Sequence, residues 1–510
     1  MADIKKIKPS LPKGTRDFLP AEVAKRNYIF DTIKSVFRKY GFQQIDTPAF
    51  ERLETLTGKY GEEGDKLLFK ILNSGDPFKD LTPADMAILE KHIDQLQLQV
   101  KIAAKGLQTL SKEDNTKSVT DLVKQGEDEL QKETKKIAQK LNEKGLRYDL
   151  TVPLARYVVQ HNGELTFPFR RFHIGPVWRA DRPQKGRYQE FYQCDADVIG
   201  STSLLNEVEL TQIYVEVFKK LNIQVSVDIS SRKFLYGFAK LCGADSDFTG
   251  FTTIIDKEDK IGPLKVRDEL NTLITGVGDK YVELMAQITK ANEDNFSEVF
   301  NDMIKQFEEI NCQEGIDGLN EIKVVLELTL GFGSIDDSVR FTPTLARGLG
   351  YYSGIIWEVK PIGIQMGSLG GGGRYDNLTE MFGGRDMSGV GISFGIERIY
   401  DVMEELKLFP SELGETTKVL FVHFDEASEA YAFEQLQKVR AQDIASEIYP
   451  GKKKLDKQMN YANDKKIPFV IVIGGDERES HQLTFKNMAT GEQQKLPIER
   501  IIEELLKHSK

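Results

Sequence analysis

The sequence predicts a mixed α and β chain of roughly three domains, with two long helical stretches and a C-terminal α/β unit. Three observations predict it. At about 150 residues per domain, 510 residues make roughly three domains. Two stretches, 76–145 and 240–335, are helical in pattern, whereas 341–398 is rich in glycine and aromatic residues between short β-prone runs. From Thr416 onward, apolar strand-like runs alternate with amphipathic helical ones.

In chain order, Ile29, Phe30, Ile33, Val36 and Phe37 recur at helical spacing between Asn27 and Lys39, and Gly41 ends that helix. The run GFQQIDTPAF then reads as a strand entering Pro48. Residues 76–145 are rich in Lys, Glu, Asp, Gln and Leu and poor in Gly and Pro. They predict two or more long helices, a hairpin or coiled-coil arm whose charges form a solvated face. From Leu146 to Gly200 the chain is dense in Arg, Tyr, Phe and His. Glu207–Leu221 predicts a helix with a stripe at Val208, Ile213, Val217 and Leu221. Residues 240–335 are helical and chemically quiet, and the glycines of 341–398 mark strands where backbone passes close to a ligand. In the last unit VLFVHF, a helix near Ala430–Val439, a short strand at Ile444–Ile448, a helix near Leu455–Asn463 and PFVIVIG predict a small sheet with helices on its faces.

Composition narrows the function. Forty per cent of the chain is apolar and 29% charged, which excludes a disordered tail, a collagen or a small disulfide scaffold. The net charge of −10 gives no general cationic field, so any nucleic-acid site is a local patch. The stretch from Thr416 is neutral, with 15 basic and 15 acidic residues. Its cluster Lys452, Lys453, Lys454 and Lys457 reads either as wet surface or as a phosphate contact. Cys194, Cys242 and Cys312 and the six histidines show no metal-ligand spacing and no disulfide framework, so no metal held by the protein is expected. No run of about 18 apolar residues exists and no secretory signal opens the chain, so a reducing cytoplasm is the expected location.

The chemistry concentrates in Phe169–Gly200, FRRFHIGPVWRADRPQKGRYQEFYQCDADVIG. Strand-like ends flank a loop, Asp181–Tyr188, that holds Arg182, Lys185 and Arg187. Forked guanidiniums bind phosphate oxygens two at a time, so such a hairpin suits a polyphosphate, although surface salt bridges also explain it. Beyond the loop, Gln193, Asp195 and Asp197 lie two residues apart, on one face of a strand. Facing inward beside arginines, they are costly unless a polar ligand fills the gap, and a solvent-facing strand is the other reading. RGLGYYSGIIWEV, Arg347–Val359, sets a lone arginine before Tyr351 and Tyr352. GGGGRYDNL, Gly370–Leu378, lacks the phosphate-loop ending. GVGISFGIERIYDVM, Gly389–Met403, reads as a strand then a helix with Glu397 and Arg398 at its start.

Taken together with KGTRDFLP (Lys13–Pro20) and LRYDLTVPLARY (Leu146–Tyr157), these motifs stand in the order of a known family. The chain resembles the class II aminoacyl-tRNA synthetases, specifically the histidyl branch. The resemblance implies an α+β catalytic domain, an antiparallel sheet with flanking helices, over 1–75, 146–239 and 336–408. It implies a helical insertion at 76–145, a second at 240–335 able to contact the tRNA acceptor stem, and an α/β anticodon-binding domain over 416–510. Gly41–Leu53 looks like the motif that forms a homodimer. The implied reaction is ATP-dependent ligation of L-histidine to tRNA(His) through histidyl-adenylate, with ATP as substrate, Mg²⁺ on its outer phosphates and no tightly bound metal.

Position by position, Arg347 and Arg179 match the catalytic arginines. Arg179, Asp181, Arg187, Phe191 and Arg398 match the ATP site. Asp149, Thr151, Gln193, Asp197, Tyr351 and Tyr352 match the histidine site, with Asp197 and Tyr352 on the imidazole nitrogens. Gln184 and Lys185 match the hairpin loop that meets the tRNA acceptor end. The chain departs from the family at Gly350, where an aspartate is usual, and at Asp149 and Asp197, where bacterial relatives often carry glutamate. Residues 76–145 match nothing in it: a tRNA-contacting arm, a dimer-bracing arm and an inert insertion are the three readings. A regulatory subunit of histidine biosynthesis with the same catalytic fold, and another class II synthetase, are the competing identities. The four arginines and the 416–510 unit weigh against the first; RGLGYY and Asp197 weigh against the second.

Overall fold

The computed structural model describes residues 8–508 except 77, 80, 92, 95–136, 138–139, 290–295, 332–337, 347–350, 378, 386, 411–412, 414–416 and 452. Most of the expected 76–145 insertion therefore lies outside the described residues, apart from a helical stretch at 83–91 and the strand that closes it. The expected readings at Arg347, Gly350 and Lys452 lie outside them too. The chain divides into two units: one of Arg26–Leu408 with the segment up to Asp17, the other of Phe18–Lys25 and Phe409–Lys510. No described helix is long and apolar enough to cross a membrane.

In chain order the strands of the first unit are β1 (Gln43–Gln44), β2 (Phe50–Arg52), β3 (Lys70–Ile71), β4 (Lys144–Leu146), β5 (Phe169–Trp178), β6 (Glu190–Ile199), β7 (Val225–Ser231), β8 (Val339–Phe341), β9 (Ile355–Pro361), β10 (Gly370–Tyr375) and β11 (Gly389–Gly395). Eight of them form one sheet in the order β1-β5-β6-β11-β10-β9-β7-β8, and β2-β4-β3 form a small one. The central pairings, β5 with β6, β6 with β11, β11 with β10 and β10 with β9, are all antiparallel, and β1 and β8 join the edges in parallel.

One face of this sheet is a packed core. The helix Pro20–Lys39 starts on a proline, whose missing N–H costs nothing in a first turn, and it buries Ile29, Ile33, Val36 and Phe37. Phe37 meets Phe42, Phe172 and Phe394 with ring centroids 5.5–6.2 Å apart. The helix Leu205–Lys220 lays Tyr214 and Phe218 on the same Phe394. A side chain at Gly370 would strike the Tyr214 ring at 2.7 Å, so that strand position is glycine for close packing.

The expected strand through Pro48 is shorter than the sequence suggests. β1 ends at Gln44, with one further bond from Ile45 N to the Phe172 carbonyl, and the chain re-enters a different sheet at β2. Pro48 cannot donate to a ladder, and the Thr47 carbonyl is taken by Arg147 at 2.6 Å.

Six helices, Arg232–Cys242, Phe248–Ile255, Pro263–Leu273, Val277–Ile288, Phe296–Glu309 and Gln313–Gly331, pack around Phe234, Phe238, Phe251, Tyr281 and Phe307. In the second unit β12 (Val419–His423), β13 (Ser446–Ile448), β14 (Phe469–Ile473), β15 (Leu483–Asn487) and β16 (Gln493–Leu496) form a sheet in the order β13-β12-β14-β15-β16. Its first three strands are parallel, and β15 and β16 extend it antiparallel. Alternate residues face two cores: Val419, Phe421 and Ile471 meet Leu436, Ile501 and Leu505, while Leu420, Val422 and Val470 meet Ala462.

Candidate active site

The other face of the large sheet is polar, and strand register assembles it. Across β5 and β6, Arg171 stands opposite Asp197, His173 opposite Asp195 and Gly175 opposite Gln193. Across β6 and β11, Asp197 faces Gly391, Asp195 faces Ser393 and Gln193 faces Gly395. The face expected for Gln193, Asp195 and Asp197 is thus real and turned inward: they are 9%, 3% and 2% exposed.

Asp197 is held from two sides. Its Oδ2 lies 2.7 Å from Nη2 of the wholly buried Arg171, and its Oδ1 accepts from the Tyr375 hydroxyl at 2.5 Å. Burial pushes its carboxyl above the usual range, and the Arg171 charge opposes the shift. The glycine opposite is obligatory, because a Cβ at Gly391 would sit 1.9 Å from Asp197 Oδ1. Gly373 yields its space in the same way to the Tyr352 ring, 2.6 Å from a Cβ there. Above Gly371 a Cβ would meet only the Trp357 carbonyl at 3.2 Å, and above Gly395 only that of Leu369 at 3.6 Å.

Asp149 ends the segment before the helix Thr151–Gln160. Its Oδ1 accepts from Tyr60 Oη at 3.0 Å and Val152 N at 3.1 Å, and Oδ2 from Tyr351 Oη at 3.3 Å. Burial raises its carboxyl, and the backbone bond from Val152 and the Arg179 charge pull it back. Tyr351 also hydrogen-bonds Thr151 and stacks edge-on against Tyr352, centroids 5.0 Å apart. Gln193 donates from Nε2 to Ser393 Oγ at 2.7 Å.

A cavity of about 140 Å³ adjoins this pocket, lined among others by Arg179, Asp181, Arg187, Phe191, Glu397 and Arg398. Arg179 lies flat over Tyr148 and Phe191, 4.2 and 5.1 Å from their centroids, and its Nε donates to the Tyr148 carbonyl at 3.1 Å. Arg187 stands 3.8 Å from Asp181. Arg398 donates from Nε to the Gly186 carbonyl and from Nη1 to that of Ser368, both at 2.8 Å. The loop is anchored from outside: Gln189 N donates to the Gly14 carbonyl at 2.9 Å, and Arg16 lies over Tyr188, 3.7 Å from its centroid.

The structure thus brings the five residues expected for the nucleotide to one cavity, and the six expected for the amino acid to the sheet beside it. Lys185 is directed elsewhere, bound to Glu405 at 2.9 Å, and Gln184 pairs through its backbone with Arg187. Sequence reasoning missed Arg171, Tyr375 and Tyr60, which buttress Asp197 and Asp149, and the buried pair Arg26–Glu397 at 2.8 Å under the cavity. For Arg171 no local signal existed, because pairing with β6 sets which face it takes. Among the described residues no group of three His, Cys, Asp or Glu side chains is arranged to hold a metal.

Comparison with known proteins gives this arrangement its family. The family model of histidyl-tRNA synthetase matches residues 14–78 and 77–399, and that of an anticodon binding domain matches 417–508. A histidine–tRNA ligase of Phocaeicola vulgatus is 47% identical over 489 residues, 95% of this chain and 96% of that protein. One of Porphyromonas gingivalis is 46% identical over 490 residues, 96% of this chain and 97% of that protein. The crystal structure of a Nostoc histidyl-tRNA synthetase superposes with a TM-score of 0.74 at 26% identity, covering 99% of this chain and all of that one. With its sheet, its two-part site and matches over nearly the whole of its length, the chain belongs to the histidyl-tRNA synthetase family.

Proposed function

We propose that the chain ligates L-histidine to tRNA(His), as a cytoplasmic homodimer. Histidine's carboxylate attacks the α-phosphorus of ATP, giving histidyl-adenylate and pyrophosphate. The terminal ribose hydroxyl of the tRNA then takes the aminoacyl group and AMP leaves. The observation that carries the reading is the place of Arg179, which lines the arginine cavity while its charge acts on Asp149 in the acidic pocket. A group there reaches both a nucleotide phosphate and an amino-acid carboxylate.

On this reading Arg179 and Arg347 stabilise the charge that develops at the α-phosphate, where preorganised cations act most strongly. Arg187 and Arg398 hold the outer phosphates, Phe191 stacks on adenine and Asp181 meets its amino group. Mg²⁺ arrives with ATP as part of the substrate. Asp197 and Tyr352 take the imidazole nitrogens, and Asp149, Thr151 and Gln193 the α-amino group, with Tyr351 beside them. Gln184 and Lys185 meet the tRNA acceptor end. The catalytic domain comprises 1–75, 146–239 and 336–408; 76–145 and 240–335 are insertions, and 416–510 reads the anticodon.

Pyrophosphate exchange into ATP tests the reading. It should require histidine. A hydrogen-bonding pocket should reject phenylalanine by about 10⁴-fold or more, because its own groups would be left unpaired. Equal exchange with phenylalanine or tyrosine defeats the specificity, and no exchange with histidine defeats the reading.

A further inference from the structure

The pocket holds more buried acid than the roles above use. Asp149, Asp195 and Asp197 are all at least 97% buried, and among the described residues the guanidinium wholly buried beside them is that of Arg171, whose Nη2 pairs with Asp197 while Nε and Nη1 have no partner. Asp195 forms no ion pair with any described residue. Ser393 hydrogen-bonds its carboxylate, and among the described residues Oδ1 has no hydrogen-bond partner. Two residues away on the same face, Gln193 Oε1 is likewise buried without a donor.

Among the described residues, Arg171 and Arg147 act on this charge from a distance and none forms an ion pair with it. From β5, Arg171 and His173 face Asp195. His173 is neutral, its imidazole pushed down to about 3 by burial, then by the charges of Arg171 and Arg147. Arg147 is committed to the Thr47 and Pro176 carbonyls. From β6 comes Asp197, from the segment before Thr151–Gln160 comes Asp149, and both are acids. Tyr214, from the helix Leu205–Lys220, spends its hydroxyl on the Gly371 and Ser393 carbonyls, and Tyr352 is a neutral phenol. A buried carboxylate without a cation is costly, and an acceptor amide beside it doubles the demand for N–H donors.

We infer that Asp195 is a further binding residue of the amino-acid pocket, with Gln193 Oε1 beside it, and that its partner is a protonated nitrogen of the bound amino acid. That nitrogen is either the α-ammonium or the protonated ring. The inference rests on the proposed histidine-activating function and adds a residue to it. Burial and the neighbouring Asp197 push the Asp195 carboxyl up against the pull of Arg171, so the free pocket favours the protonated acid more than water does. A cation that binds there favours the ionised form.

Two measurements on the full-length protein test this. Asp195→Asn keeps the shape and removes the charge. Its histidine Kd and KM should rise about 10- to 100-fold, the worth of a charge-assisted hydrogen bond, with kcat within about threefold. If the ammonium is the partner, the change in Kd between pH 6 and 8 should flatten relative to the parent, because the ligand's own ring titration is then common to both proteins and cancels. A ligand lacking the α-amino group, 3-(imidazol-4-yl)propionate, separates the sources. If the ammonium is the partner, its affinity is the same in parent and variant; if the ring is, it falls as histidine's does.

The second measurement needs no variant. Calorimetry of histidine binding to the parent at pH 7, in buffers of different ionisation enthalpy, should show a net proton change. An ammonium partner releases a fraction of a proton, and a ring partner reverses the sign by taking one up. A folded Asp195→Asn with parental Kd and pH profile overturns the inference, as does proton-neutral binding to the parent. A parent that exchanges pyrophosphate with histidine while either result holds leaves the proposed function standing. A parent without histidine-dependent exchange overturns both.

Discussion

Replacing Gly391 with alanine tests whether the floor of the pocket is shaped for Asp197. The added Cβ would lie 1.9 Å from Asp197 Oδ1 and 2.4 Å from its Cγ. Ordinary contact begins near 3.4 Å, so the carboxylate must retreat by about 1.5 Å. It has nowhere to go without loss. Arg171 stands 2.7 Å behind one oxygen and Tyr375 2.5 Å from the other, and a hydrogen bond weakens rapidly beyond about 3.2 Å. At least one charge-assisted bond is lost, worth about 1.5–3 kcal/mol, or roughly 10- to 150-fold in affinity. Steady-state exchange kinetics should show the histidine KM rising by that factor, while the ATP KM stays within about twofold because Arg398 and Arg187 lie in the adjoining cavity. A histidine KM within twofold of the parent, with an unchanged melting temperature, would refute the claim that Asp197 is held where the ligand needs it.

Other expectations follow from the same geometry. Arg171→Met leaves Asp197 buried without its cation and should cost about 3–5 kcal/mol in urea unfolding; adding Asp197→Asn should recover much of it, and equal stability of single and double variants would sink the pairing. Gly371→Ala puts a methyl 3.2 Å from the Trp357 carbonyl, a tight contact, so the protein should fold with a slightly lowered melting temperature while the histidine KM rises; an unaltered KM means the space above Gly371 is not the amino-acid site. Arg398→Lys cannot span the Gly186 and Ser368 carbonyls and phosphate together, so the ATP KM should rise about tenfold while histidine Kd without ATP is unchanged; a shifted histidine Kd contradicts the division of the site. Because burial raises the Asp195 carboxyl, the folded chain keeps a proton that the unfolded chain gives up near 4. That stabilisation is present at low pH and is lost as pH rises through about 7, so the free protein should melt higher at pH 6 than at pH 8, and by less in Asp195→Asn; an identical difference in both would exclude Asp195 as the cause.

The parts of the site legible in the sequence are those within one element. The inward parity of Gln193, Asp195 and Asp197 follows from a two-residue period, and the basic loop between two strand-like runs marks its own hairpin. What was not legible depends on register between distant strands. Arg170 and Arg171 are chemically identical neighbours. Only pairing with β6 shows that Arg171 turns toward Asp197 while Arg170 turns to Glu209 on the other face. Tyr375 meets Asp197 across 178 residues of chain, and nothing local in RYDNL announces it. The glycines of β10 and β11 announced a close approach without saying to what. Two of them make room for the protein's own Tyr352 and Asp197, and at Gly371 and Gly395 a Cβ would meet a backbone carbonyl alone. In the second unit the small sheet with helices on its faces follows from alternation, whereas β15 and β16, short and half-polar, carry too little apolar pattern to be seen.

The anchoring of Gln189 on the Gly14 carbonyl ties the chemistry to the chain's beginning. Gly14 sits at φ +83°, and a Cβ there would press into Gln189 at 2.7 Å and Pro183 at 3.0 Å, so the leading segment lies directly against the arginine loop. A protease nick or a trimmed expression clone that removes residues through Arg16 would leave the folded body intact but unmoor that loop. Preparations clipped at this end should therefore look sound by every measure of structure and yet be poor catalysts, which makes intact mass the quality check to run before any kinetic comparison.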